Sequence, residues 1–168
     1  PVSAVAVPLA SDSLLLGRAI ARQQVDSLFL GANEVEALLA DERLSALHLA
    51  SLQRVICGDA VTTSQRQRWW QRFGQRLHSG WLDPVDGWLT LNVDDVLDVH
   101  YWFVQQGDRP GSRGQAIPGV ALCEQQGQLA VAEADDDGLL HWRPLAVSGQ
   151  LDDDGYVWMS NSAEEPPL

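Results

Sequence analysis

The sequence predicts an α/β fold: a partial parallel sheet with covering helices, built from strand–helix repeats, followed by a small antiparallel β unit. Two patterns predict it. The first half alternates short apolar runs with helical periodicity across short connections, which is the signature of a parallel sheet covered by helices. After about residue 78 the helical period gives way to β-rich sequence, and beyond Gly114 to short strands bounded by glycine or acidic clusters, which reads as an antiparallel unit of hairpins. The apolar share, 45%, is enough for a packed core.

The elements follow in order. Residues 3–9, in "PVSAVAVPLA", read as a buried strand. "SDSLLLGRAIARQQ" reads as a helix capped by Ser11 or Asp12, with Leu14, Leu15, Ala19 and Ile20 at helical spacing. "VDSLFLG" is a strand closed by Gly31. "NEVEALLADERL" is a helix with Asn33 as its cap and Val35, Leu38 and Leu39 on one face. "LQRVICG" is a strand, and "TTSQRQRWWQRFGQRL" is a helix capped by Thr63 or Ser64. "DPVDG" and "DRPG" are turns. Between them lies a β-rich stretch with one helical segment around 94–99. "GVALCE", "QLAVAEA", "LLHWRPLAV" and "GYVWMS" are the strands of the antiparallel unit. We place the division at 1–108 and 109–168, with a frayed C-terminal tail.

Charge restricts the chemistry. The net charge is −12 and all eleven basic residues are arginine. With no lysine in these 168 residues, no Schiff base, lysine general base or P-loop lysine comes from them. A nucleic-acid partner is not expected, because phosphate neutralisation needs a basic surface. No apolar run is long enough to span a membrane. The apolar start lacks the basic flank of a signal peptide, so a cytoplasmic location is expected. Cys57 and Cys123 lie in apolar runs without metal spacing and read as reduced core thiols.

Other constellations stay structural. His48, His78, His100 and His141 are scattered. Asp98 and His100 are at strand spacing, which would orient an imidazole. "ICGDA" is not a nucleophile elbow. "ADDDG" and "LDDDG" lack EF-hand ligand spacing and read as solvated hairpin turns. No metal site and no cofactor are expected. Arg68, Arg72 and Arg76, at four-residue spacing, form a basic stripe beside the adjacent Trp69 and Trp70. Adjacent residues on a helix point in different directions, so one tryptophan is expected outside the core. The bland reading is a solvated face paired with carboxylates. The sharper one is a docking surface for an acidic partner or a second copy.

Ordered motifs carry a resemblance. "LGAN", "VEALLA", "LQRVICGDAVT" and "QRQRWWQRFG" resemble "GVPT", "LYAALL", "LRLCVSAGEALP" and "ERWRERFG" of the adenylate-forming superfamily, which includes acyl- and aryl-CoA synthetases and benzoate–CoA ligases. "RPGSRGQAIPGV" resembles that family's "RPGSSGxPxPGxE", where the large α/β subdomain hands over to a small β subdomain. "GQLAV" and "LDDDGYVWM" resemble "GELxV" and "DxDGYxWxxGR". The resemblance runs from about Ala6 to Met159.

The departures are as informative. The phosphate loop "TSGTTGxPKG" and the lid with its lysine have no counterpart here. "GIGSTE" gives way to "NVDDVLD", 92–98, and "TGD" to "SGQ", 148–150. The resemblance therefore implies a truncated, degenerate homologue without catalysis. The expected role is a binding or scaffolding protein that self-associates, as a homodimer, or docks a partner in a biosynthetic pathway. Two alternatives remain open: a weak aryl, acyl or adenylate binder, and a subunit of a ligase completed in trans. By resemblance, Gly31, Ala32, Gly58, Asp59, Ala60, Asp95 and His100 would line a residual ligand pocket. Arg68, Trp69, Trp70, Arg72 and Arg76 would face a partner.

Overall fold

The computed structural model describes residues 12–92, 109–135 and 137–160. The expected first strand and the helical segment around 94–99 lie outside them. In chain order the elements are α1 Ser13–Gln23, β1 Ser27–Leu30, α2 Ala32–Ala40, β2 Arg54–Cys57, α3 Thr63–Phe73, β3 His78–Asp83, β4 Gly87–Asn92, β5 Gln115–Ala116, β6 Leu122–Gln125, β7 Gln128–Ala134, β8 Leu140–Leu151 and β9 Val157–Met159. A short 3-10 turn, Ala46–Leu49, precedes β2.

The described strands form two sheets, ordered β1-β2-β3-β4-β5 and β6-β7-β8-β9. In the first, β1, β2 and β3 run parallel. The β3–β4 hairpin and β5 then add antiparallel strands to the same sheet. The second sheet is antiparallel throughout. This is the predicted α/β class. The "DPVDG" hairpin extends the helix-covered sheet.

Strand alternation sorts the core. Leu28 and Leu30 of β1, and Val55 and Cys57 of β2, point to the helices. There they pack with Leu16 and Ile20 of α1, Val35 and Leu38 of α2, and Trp69 and Phe73 of α3. A second cluster joins Trp81 and Leu89 of the hairpin to Leu129, Val131, Leu145 and Val157 of the second sheet.

The cap of α1 is one of the two expected, while the caps of α2 and α3 differ from expectation. Asp12 caps α1, accepting from Leu14 N at 3.0 Å. The buried stripe of α1 is Leu16, Gly17 and Ile20, while Leu15 is exposed. A Cβ on Gly17 would fall 2.4 Å from the Leu44 side chain, so the 3-10 turn and its approach pack against bare backbone. The cap of α2 is Gly31, not Asn33. The cap of α3 is Thr62, not Thr63 or Ser64. It accepts from Gln65 N at 3.2 Å, and Gln65 Oε1 accepts from Thr62 N at 2.9 Å. That reciprocal pair satisfies two otherwise orphaned donors. The helix stops at Gly74, which sits at φ +69°, so Arg76 lies beyond it.

"RPGSRG" crosses between the sheets on a polar latch. Asn92 Nδ2 donates to the carbonyls of Arg109 at 2.7 Å and Ser112 at 3.2 Å, and Asn92 Oδ1 accepts from Arg109 N at 3.0 Å. Asn92, Ser79 and Ser112 are buried. A buried amide must be paired, and this one uses both ends to hold the crossing on β4. Arg113 N donates to Val157 O at 2.8 Å and Val157 N to Gly114 O at 2.9 Å, which ties the crossing to β9.

The acidic turns are self-satisfied. Asp135 Oδ1 accepts from the amides of Asp137 and Leu139, and Asp152 Oδ1 from those of Asp154 and Tyr156. Neither cysteine is paired, but only Cys57 is buried. Cys123, on β6, is half-buried rather than a core thiol. Among the described residues no helix is long and apolar enough to cross a membrane.

Candidate functional site

Two turns meet where the parallel strands β1 and β2 end at their C-terminal edge, the usual ligand edge of such sheets. Gly31 and Ala32 follow β1; Gly58, Asp59 and Ala60 follow β2. The strands bring the two turns together through Gly58 N, which donates to Leu30 O at 2.8 Å.

A helix N-terminus is a ready seat for an anion. Here the chain fills it with its own carboxylates. Glu34 reaches back to accept from Gly31 N, and Asp59 Oδ2 accepts from Ala32 N at 3.0 Å. Asp59 Oδ1 lies 3.5 Å from Arg113 Nη1. Arg113 also donates to Gly58 O at 3.3 Å. Burial pushes the Arg113 guanidinium below its usual pKa, opposed by the Asp59 charge. Five of the proposed ligand residues thus form one cluster, but its acid has hydrogen-bonding and charge partners within the chain. Asp95 and His100 lie outside the described residues.

Sequence reasoning missed Arg113. The signal was present, since the resembling pattern carries serine where this chain has that arginine. It also missed an aromatic trough on the sheet face away from the helices. Phe29 and Leu82 are 53% and 49% exposed there. The Trp88 ring packs on Phe29, with centroids 5.3 Å apart. Trp88 crosses the sheet over Gly80, and its far edge lies 3.8 Å from where a Cβ on Gly58 would be.

The α3 residues expected at a partner surface are divided by the structure. Trp69 is fully buried and Trp70 is 55% exposed. Arg68 pairs with Glu36 at 2.6 Å. Arg72 donates to the carbonyls of Leu39, Asp41 and Leu44, fastening α3 to the end of α2 and the connection after it. Arg76, past the helix end, lines a groove with Arg66 and Trp70. The basic stripe of the sequence is therefore two internal fasteners and one groove residue. Among the described residues, no three His, Cys, Asp or Glu side chains are grouped to hold a metal.

Comparison with protein-family models gives no match, and neither does comparison with curated proteins. Comparison with solved structures gives adenylate-forming acyl- and aryl-CoA ligase folds. Apo MatB from Rhodopseudomonas palustris matches with a TM-score of 0.65 at 19% identity, over 88% of this chain and 32% of that one. The anthranilate CoA ligase AuaEII, solved with anthranoyl-AMP, matches at 0.64 and 17%, over 90% and 32%. The amide bond synthetase McbA from Marinactinospora thermotolerans matches at 0.64 and 17%, over 91% and 35%. The chain has the fold of a segment of these enzymes and spans about a third of their length.

Proposed function

We propose that this chain is a non-catalytic module of ligase-like fold that docks against protein, either a second copy or a partner polypeptide of a biosynthetic pathway. The observation that carries this reading is the aromatic trough, where Phe29 and Leu82 stay about half exposed beside the Trp88 ring. Sheets built on parallel strands are normally covered on both faces, and contiguous exposed apolar surface marks an interaction site. The anion seat filled by Glu34 and Asp59 supports binding over acyl activation.

Light scattering across a concentration series tests it, beside Phe29→Ser and Leu82→Asp. Both substitutions replace exposed residues, so the fold should survive them. The expected result is a mass above the 18.4 kDa chain, or a complex with a pathway protein, that either variant abolishes. A monomer at every concentration whose partner binding ignores both variants would sink the reading.

A second reading has one supporting observation. The trough runs up to Gly58, beside the turn that carries Asp59, so an aryl or acyl group in it would meet the residual pocket. Calorimetric titration with a non-hydrolysable aryl-adenylate mimic separates the two readings. Binding weakened by both Trp88→Ala and Asp59→Ala favours the ligand. No heat leaves the docking reading alone.

A further inference from the structure

The second sheet has two unlike faces. Strand alternation turns Leu129, Val131 and Leu145 inward, toward Trp81 and Leu89 of the β3–β4 hairpin. Glu133, His141 and Arg143 share that inner face. There Glu133 pairs with both His141 and Arg143, and Arg143 reaches Asp86 in the β3–β4 turn. The register sets Ala130 opposite Pro144, Ala132 opposite Trp142 and Ala134 opposite Leu140. These pairs alternate with the inner ones and so belong to the outer face. Every ionisable side chain of 130–134 and 140–144 is thus on the inner face, and the outer face of these segments carries no charge. It is also open. Leu140 is 76% exposed and Trp142 42%, and Ala134 and Pro144 are exposed beside them.

The outer face has relief. β8 raises Leu140 and Trp142 as a ridge. Beside it β7 and β6 carry only small side chains. Ala121 lies opposite Ala132, whose N donates to Ala121 O at 3.0 Å, and Cys123 lies opposite Ala130. Together they make a shallow lane. A ridge beside a lane is self-complementary under a two-fold axis, because the ridge of each copy seats in the lane of the other. A closed two-fold contact needs that property, since one patch meets itself. Charge selects the same occupant. Two copies of net charge −12 repel, so they can close only on surfaces that bring no carboxylates face to face. A partner recognised through ion pairs would have none to make on this face.

We propose that the outer face of the second sheet is where two copies of this chain pair, Trp142 and Leu140 of each lying on the alanine lane of the other. Contiguous exposed apolar surface is the mark of such a contact, and a tryptophan at its centre is the usual anchor. The inference goes beyond the preceding reading, because it assigns self-association to the second sheet and leaves the Phe29 trough to a partner polypeptide.

Light scattering over a concentration series, at low and at high salt, tests this. The mass should rise from 18.4 kDa toward twice that value. Salt should move the midpoint to lower concentration, because screening weakens the repulsion between like-charged copies while the contact has no ion pairs to lose. Trp142→Ser and Ala132→Glu, with circular dichroism to confirm the fold, should each raise the midpoint by roughly tenfold or more. Phe29→Ser should leave it unchanged. Thiol labelling gives a readout that needs no substitution, since Cys123 lies in the lane. It should label fast in dilute protein and more slowly as the dimer fills. A monomer at every concentration, pairing weakened by salt, a Cys123 labelling rate independent of concentration, or wild-type pairing in folded Trp142→Ser would overturn the proposal. Pairing lost in Phe29→Ser but kept in Trp142→Ser would also overturn it, and would assign self-association to the trough instead.

Discussion

Trp88 reaches Phe29 across two intervening strands, with ring centroids 5.3 Å apart and planes at 49°. β4 and β1 are separated by β3 and β2, so the indole must lie flat along the sheet. Glycine makes this achievable. A Cβ on Gly80 would stand 2.9 Å from the Trp88 ring and 2.6 Å from Thr90 O. Replacing Gly80 with valine should lift Trp88 off the sheet and strain β4, costing about 1–3 kcal/mol in the manner of overpacking. Urea unfolding of Gly80→Val beside Trp88→Ala checks this. If the valine variant matches wild type, the trough is not built on this glycine.

The adjacent tryptophans should behave as opposites. Trp69 makes an edge contact with Phe73 at 4.7 Å inside the helix-side core. Trp69→Ala should cost about 3–5 kcal/mol, the range for emptying a large aromatic site. Trp70→Ala, on the exposed flank, should change stability by about 0.5 kcal/mol or less. Equilibrium denaturation of both variants reads the difference, and similar losses would contradict the helix orientation described.

The two thiols should label in sequence. Burial pushes the Cys57 thiol up to about 11, so at pH 8 it carries almost no thiolate and little access. Cys123 is half-buried on β6. Native protein should therefore take up one equivalent of an aromatic disulfide reagent quickly, and a second only on unfolding. Mass spectrometry of the labelled peptides identifies which came first. Prompt double labelling would mean that the core opens on the labelling timescale.

Stability should fall in acid. Hydrogen bonds from Arg43 hold the Asp41 carboxyl down to about 2. The Arg68 hydrogen bond lowers Glu36, with Gln65 assisting. At Asp152 burial works upward, but hydrogen bonds from Trp158 and Tyr156 and the Arg109 charge outweigh it, and the net shift is downward. These carboxyls hold protons less tightly folded than unfolded. Their contribution is thus complete above the unfolded values near about 4 and is lost as pH falls toward about 2. The urea midpoint should drop most steeply below about pH 4, and Arg43→Gln should flatten that drop. A midpoint that rises on acidification would reverse the sign argued here.

Much of the fold was legible because its signals are local. The helical stripes and the glycine and acidic turns depend on neighbours a few residues apart, so the alternation of strands and helices could be read in order. The misplaced caps show the limit. Asn33 is a better cap by residue type than Gly31. Two carboxylates reach the Gly31–Ala32 turn, Glu34 from within α2 and Asp59 from 27 positions away, and only the fold brings the second. The crossing segment "RPGSRG" was legible for the opposite reason. Gly114 sits at φ +87°, and a Cβ there would stand 1.9 Å from Leu91 O, so glycine is demanded by the backbone itself.

The sequence by itself determined the α/β class, the order of elements and the likeness to a ligase segment, because each follows from composition, period or ordered short motifs. Only the tertiary structure decided what the charged and aromatic side chains do. It turned Arg68 and Arg72 into internal fasteners, set Arg113 beside Asp59, laid Trp88 over Gly80 toward Phe29, and left Arg66, Arg76 and Trp70 around one groove. A side chain's role depends on which strand end or helix flank lies across from it. Those distances are set by sheet order and register, which no local pattern encodes.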